Sequence, residues 1–220
     1  MSIVIALAAL ALVACGGGGG GDEESPTATV VATATEESSQ DAARRVEADD
    51  DPSLPGEYVD LPAIYGGHYG GEPNTGPHVR ATVDYSRQGL PPVGGPHWGS
   101  AACGTDPSEA PPFCGPAPWG IYREAWEPET LVHNMEHAGV VIWYNTSDQD
   151  VIDELEAFAQ EKLSAGTLLV LAPYPDMGDE TVAITVWSRR DVMAADELDL
   201  DRIQEFIDVL YCRFDPEGFC

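Results

Sequence analysis

Apolar positions fall into short, readable periods from residue 128 onward. VVIWY (140–144) is an unbroken β-branched and aromatic run, the pattern of a strand buried on both faces. Apolar residues at 151, 152, 155, 158, 159 and 163 recur at helical spacing, with Ser147 or Asp148 as N-cap and Gly166 at the end. TLLVLAP (167–173) and VAITVW (182–187) predict two more strands, joined through YPDMGDE as a hairpin. LDRIQEFIDVLYCRF (200–214) predicts a closing amphipathic helix. Upstream, Pro128 and Gly139 bracket PETLVHNMEHAG with Pro in the first turn and Gly just past the end, which predicts a helix over 128–138. The order helix, β, α, β, β, α describes a small layered α+β domain, with the strands covered by helices on one face.

Residues 56–127 lack that regularity and are dense in Gly, Pro, His and aromatics. Only HVRATVDYS (78–86) alternates well enough to predict a strand. An irregular region this long inside a domain is usually functional, and its aromatics argue that it packs against something. Residues 16–55 are different again: six glycines, then acidic and Ser/Thr/Ala-rich sequence with no aromatic. Such a segment buries too little apolar surface to offset its ordering entropy and reads as a flexible acidic tether. Residues 3–14 are apolar without interruption, too short to span a bilayer and the right length for a signal-peptide core. Leu12-Val13-Ala14-Cys15 resembles a bacterial lipobox, although no Lys or Arg precedes the apolar run. The expected organisation is a lipoprotein signal peptide over 1–15 with Cys15 lipidated, a tether over 16–55, and one domain over 56–220.

That organisation places the protein on the outer face of a bacterial membrane, where thiols oxidise. Setting Cys15 aside leaves Cys103, Cys114, Cys212 and Cys220. Three pairings are open; the local ones, Cys103–Cys114 and Cys212–Cys220, close short loops and are the expected ones. No C-x-x-C spacing supports a four-cysteine zinc site. The 38 acidic and 10 basic residues give a formal net charge of −28, which excludes nucleic acid as a partner and leaves the lipid as the route to the membrane.

PPVGGPHW, PWGIY, LVHNMEHAGVVIWYN, VAITVWSRR and IQEFI together resemble the bacterial family catalogued as domain of unknown function 3105, over roughly residues 60–215. The resemblance implies a secreted or membrane-anchored protein with a Gly-Pro-His stretch and a His-Asn-x-Glu-His-Gly segment, and implies no reaction. This chain departs from the pattern at Ala138, at Gly94, and in an insertion from Cys103 to Cys114.

All five histidines (His68, His78, His97, His133, His137) fall in the irregular region or in the helix that follows it. On a helix, His133 and His137 stand at i and i+4, about 6 Å apart and able to chelate one ion. If the stretch were extended they would be about 13 Å apart and could not. Leu131, Met135 and Ala138 form the apolar side, so the histidines point away from it, either to water or to loops carrying further ligands. His97, after Gly-Gly-Pro, is the first choice for such a ligand, His68 the second, and His78 the weakest. Imidazoles outside the cytoplasm suit zinc or Cu(II), with Glu136 as a possible further donor. A His/Met copper site would need the extended form, because Met135 lies on the other helical face.

Two other readings stand beside the metal site. His133-x-x-Glu136-His137 matches a zinc-hydrolase pattern with Glu136 as base, but that pattern needs a third ligand and usually a longer helix. Trp98, Trp119, Trp126, Tyr65 and Tyr69 could line a site for a peptide, a glycan or a protein partner; most are expected to be core. No Ser-His-Asp order, nucleotide-binding glycine motif or haem C-x-x-C-H occurs, and no catalytic activity is asserted.

Overall fold

Val140–Asn145, the apolar run, is the middle of the molecule. In a computed structural model, which describes residues 50–66, 78–99, 115–215 and 219–220, it forms a strand whose first five residues are all buried. Side chains on a strand alternate between faces, so unbroken burial means that both faces are covered.

The elements in chain order are β1 (Glu57–Tyr58), α1 (Leu61–Tyr65), β2 (His78–Val79), β3 (His97–Trp98), β4 (Gly120–Ile121), α2 (Pro128–Glu136), β5 (Val140–Asn145), α3 (Gln149–Ser164), β6 (Leu169–Pro173), β7 (Thr181–Val186), β8 (Arg189–Ala194) and α4 (Leu200–Leu210). A six-stranded mixed sheet runs β1-β8-β7-β5-β6-β4, and β2 pairs with β3 in a separate two-stranded ladder. The α+β class expected from the sequence is what the chain adopts.

Three details differ from the expected pattern. The strands 169–173 and 181–186 are not hairpin partners, because β5 lies between them, parallel to β6 and antiparallel to β7. β5, α3 and β6 form a crossover unit, and an apolar run carries no mark of its direction. The real hairpin is β7–β8, turning at Trp187 and Ser188, with Ser188 in the left-handed region at φ 67°. β8 escapes an apolar-pattern search because its inward positions include Arg189 and Asp191. The stretch 78–86 is a strand only at His78–Val79; Asp84 then caps a 3₁₀ turn over Tyr85–Gln88 by accepting from the Ser86 N–H.

The helices follow their local signals. Asp148 caps α3 by accepting from Asp150 N–H, and Asp199 caps α4 by accepting from Arg202 N–H. α4 stops at Leu210, short of the expected 214, and Cys212 takes φ 59° beyond it. α2 also ends early, at Glu136, with Ala138 at φ 61° and the Gly139 N–H donating to Asn134 O. That left-handed position is one glycine fills without strain.

Ahead of β1, residues assigned by sequence to the end of the tether lie against the sheet. The buried Arg189 guanidinium donates to the carbonyls of Asp51 (2.7 Å), Leu54 (3.2 Å), Pro55 (3.1 Å) and Gly56 (3.2 Å). The Cys212–Cys220 disulfide is present. Cys15, Cys103, Cys114, His68 and Tyr69 lie outside the described residues. Among the described residues, no helix is long and apolar enough to cross a membrane.

Candidate metal centre

α2 is unusual for a nine-residue helix: Glu129 through Glu136 are all buried, polar and apolar alike. Its apolar side, Leu131 and Met135, joins the core under the sheet. Its polar side chains reach the irregular region. Glu129 Oε1 accepts from Val83 N–H at 2.6 Å. His133 Nδ1 lies 2.6 Å from Trp98 O. Asn134 bonds both backbone groups of Ala117, accepting from its N–H at 2.8 Å and donating to its carbonyl at 2.9 Å. Buried polar groups need partners, and here the partners are the loops that cover the helix.

The loop carrying His97 is built to a fixed shape. Gln88 accepts from Val93 N–H at 2.9 Å and donates to Gly94 O at 2.8 Å, while the Tyr85 hydroxyl donates to Pro96 O at 2.6 Å. Gly94 and Gly95 have φ of 147° and 99°, and a Cβ on either would press to within about 2.6 Å of Leu61 or Tyr65. The hairpin turn reaches the same loop, with Ser188 N–H donating to Val93 O.

The β2–β3 ladder pairs His78 with His97 in register. Parallel neighbours in register share a face, so the two rings lie side by side. His133 comes from α2 to complete a near-equilateral triangle, with ring centroids 4.9, 5.0 and 5.1 Å apart. Glu136 Oε2 sits 2.8 Å from His97 Nε2 and 3.3 Å from His78 Nε2. One ligand atom from each of His78, His97, His133 and Glu136 lies within 4.8 Å of all the others. Gly99 makes room for this arrangement: a Cβ there would stand 2.4 Å from His78 Cγ.

Hydrogen bonding settles which nitrogens face inward. A carbonyl oxygen only accepts, so His97 Nδ1, 2.8 Å from Gly95 O, and His133 Nδ1, bonded to Trp98 O, must both carry hydrogen. In the neutral rings Nε2 is then bare. His97 directs that lone pair at the Glu136 carboxylate, an acceptor facing an acceptor unless a proton or a metal cation lies between them. Backbone carbonyls holding Nδ1–H are the usual outer support of metal-ligating histidines.

The electrostatics run the same way. Burial, reinforced by the nearby His97 ring, lowers the His133 pKa to about 4, so its lone pair is available at neutral pH. Burial also lowers that of His137. Burial acts to raise the Glu136 carboxyl, but the His97 hydrogen bond and the surrounding histidines outweigh it and hold the group below the usual range.

Of the sequence candidates, His97 and His133 are in the cluster and His68 is outside the described residues. His137 is beside the cluster, its Nε2 3.2 Å from His133 Nε2. The cluster adds His78, ranked weakest from sequence, and Glu136, which sequence reasoning cast chiefly as a hydrolase base. A signal for His78 was present: Gly76-Pro77-His78 repeats Gly95-Pro96-His97, each followed by a large apolar residue. Trp98 is buried, and Tyr65, Trp119 and Trp126 pack against the core. Two surface grooves among the described residues, one beside β4 and one beside β8, contain none of the cluster residues.

A layered α+β domain that gathers an exposed histidine, two buried histidines and a buried glutamate where its irregular half meets α2 is the class defined so far. A family model described as Protein of unknown function (DUF3105) matches residues 78–218, and the chain belongs to that family. The matched region begins at His78 and contains the whole cluster. No curated protein and no solved structure matches the chain.

Proposed function

We propose that this is a lipid-anchored extracytoplasmic protein whose domain binds one transition-metal ion, zinc or Cu(II), through His78, His97, His133 and Glu136. The observation that carries the reading is the pair of buried histidines whose Nδ1–H groups are held by Gly95 and Trp98 carbonyls while their Nε2 atoms face inward. Three imidazoles and one carboxylate suit either ion. The excess of acidic residues raises the local concentration of cations around the domain. The lipid anchor rests on the 3–14 apolar run and the lipobox-like Cys15. The membrane is reached through that lipid, and nucleic acid is not a partner.

The hydrolase reading needs Glu136 to stand back from the ion and activate its water. Glu136 instead lies among the ligand atoms, in contact with two of the histidines. No catalytic role is assigned.

Metal analysis of the untagged full chain, purified in detergent, tests the reading. Wild type should carry one ion per chain after loading and dialysis, and His97→Ala/His133→Ala should carry none while keeping its circular dichroism spectrum. Equal, sub-stoichiometric metal in both would sink the site. For the anchor, Cys15→Ala should move the protein out of the membrane fraction; unchanged partitioning would remove the lipid.

A further inference from the structure

The last residues of the chain return to the histidines. Cys212 and Cys220 are disulfide-bonded, and the Asp215 carboxylate accepts from the backbone N–H of Phe219 at 2.8 Å and of Cys220 at 2.7 Å. Phe219 lies stacked on His137, with ring centroids 4.0 Å and planes 22° apart. At 55 % exposure, Phe219 is not wedged there by the core. The bridge and the Asp215 carboxylate both tie this segment.

His137 touches the centre from the other side of its ring system. Its Nε2 is 3.2 Å from His133 Nε2. Two nitrogens on one zinc ion at about 2.05 Å lie roughly 3–3.5 Å apart, whether the ion has four ligands or expands to five. His137 therefore already stands at ligand spacing from His133. It is more exposed than His133 and sits at the C-cap of α2, where a small backbone rotation moves the ring.

We propose that the Cys212–Cys220 disulfide makes metal exchange at this centre redox-sensitive, by holding Phe219 on His137 and so keeping His137 in place as an additional, exchangeable ligand. The proposal rests on the metal-binding reading above. Reduction by a dithiol breaks the S–S bond and supplies two electrons and two protons, leaving the Cys212 and Cys220 thiols and the dithiol closed to its own disulfide. Phe219 then loses its covalent tie, and the stacking contact that helps to hold the His137 ring beside His133 is weakened. An aromatic pair of this kind is worth about two- to tenfold in an equilibrium constant, so release of the ion should accelerate by that factor.

The experiment uses the zinc-loaded, untagged full chain in detergent and follows transfer of zinc to an excess of a chromophoric chelator. Cys212→Ser/Cys220→Ser and Phe219→Ala should each release zinc about two- to tenfold faster than oxidised wild type, at equal starting occupancy. The serine pair excludes new thiolate ligands as the cause. A phosphine reductant should bring wild type to the rate of the serine pair and leave Phe219→Ala unchanged. If the serine pair at full occupancy releases zinc at the wild-type rate or slower, the redox proposal is overturned and the metal centre stands. If Phe219→Ala accelerates release equally in a His137→Ala background, His137 is not the link and the proposal fails. Oxidised wild type that holds no stoichiometric zinc overturns the metal reading and the proposal together.

Discussion

Between Thr181 and Ala194 two strands are joined through six residue pairs in unbroken register, with a buried face beneath them. Between His78 and Gly99 the only ladder is two residues long, and the backbone takes its shape from side chains. Gln88 braces Val93 and Gly94, Tyr85 holds Pro96, Glu129 holds Val83, and the Trp98 indole N–H donates to Ala81 O. A strand shares its stabilisation among many equivalent bonds. In the irregular half one side chain does the work of several, and each bond has no neighbour to replace it.

The sharpest way to break that contrast is Gln88→Ala against Ile142→Val. Gln88 is buried and serves two backbone groups, so its loss leaves a donor and an acceptor unpaired and should cost roughly 2–4 kcal/mol. Ile142 is fully buried in the central strand, yet removing one methylene there should cost about 0.5–1.5 kcal/mol. Urea unfolding of both variants decides it; a smaller loss for Gln88→Ala would mean that the loops are held in some other way. Gly99→Ala comes next. Its Cβ displaces the His78 ring, and zinc affinity, read by chelator competition, should fall about ten- to a hundredfold, the usual cost of disturbing a ligand's support. Unchanged affinity would remove His78 from the centre.

Glu129 sharpens the comparison through pH. One carboxylate oxygen is held by Val83 N–H, and the other is buried without a partner among the described residues. Burial raises its pKa above the ordinary 4.5. The folded chain therefore keeps a proton that the unfolded chain gives up, so this group's contribution is full below pH 4.5 and is lost as pH rises through the raised value. Stability of wild type relative to Glu129→Gln should decline with pH above 4.5, and a flat difference would show that the carboxyl ionises freely. The smallest effect belongs to the surface of the regular half. Arg123 makes a paired contact with Glu156 on α3, but the pair is exposed, and Arg123→Ala should cost less than about 1 kcal/mol in the same urea assay.

Legibility from sequence divides along the same line. α2, α3 and α4, the central strand and the α+β class follow from periods and caps that are local in sequence, whereas α1 at Leu61–Tyr65 lay in the region read as irregular. β8 was hidden because Arg189 and Asp191 point inward, the first onto backbone carbonyls and the second onto Arg202. The neighbours of β5 were hidden because pairing direction is set by a crossover of more than twenty residues. For the site, helix phase foretold that His133 would turn from the Leu131 side, to water or to loops; it meets loops, with His97 among its neighbours there. The repeated Gly-Pro-His marks both His78 and His97, but their partnership depends on a two-residue register between segments 19 positions apart, which the repeat does not encode.

Arg189 has a mechanical consequence. A pull applied at Asp50 acts first on Asp51–Gly56, where one buried guanidinium grips four carbonyls. Tension is there spread over several bonds loaded together, before it meets the short β1–β8 pairing, which could be peeled apart one bond at a time. With Arg189 removed, the same force would act directly on that edge of the sheet, so this residue serves as its strain relief.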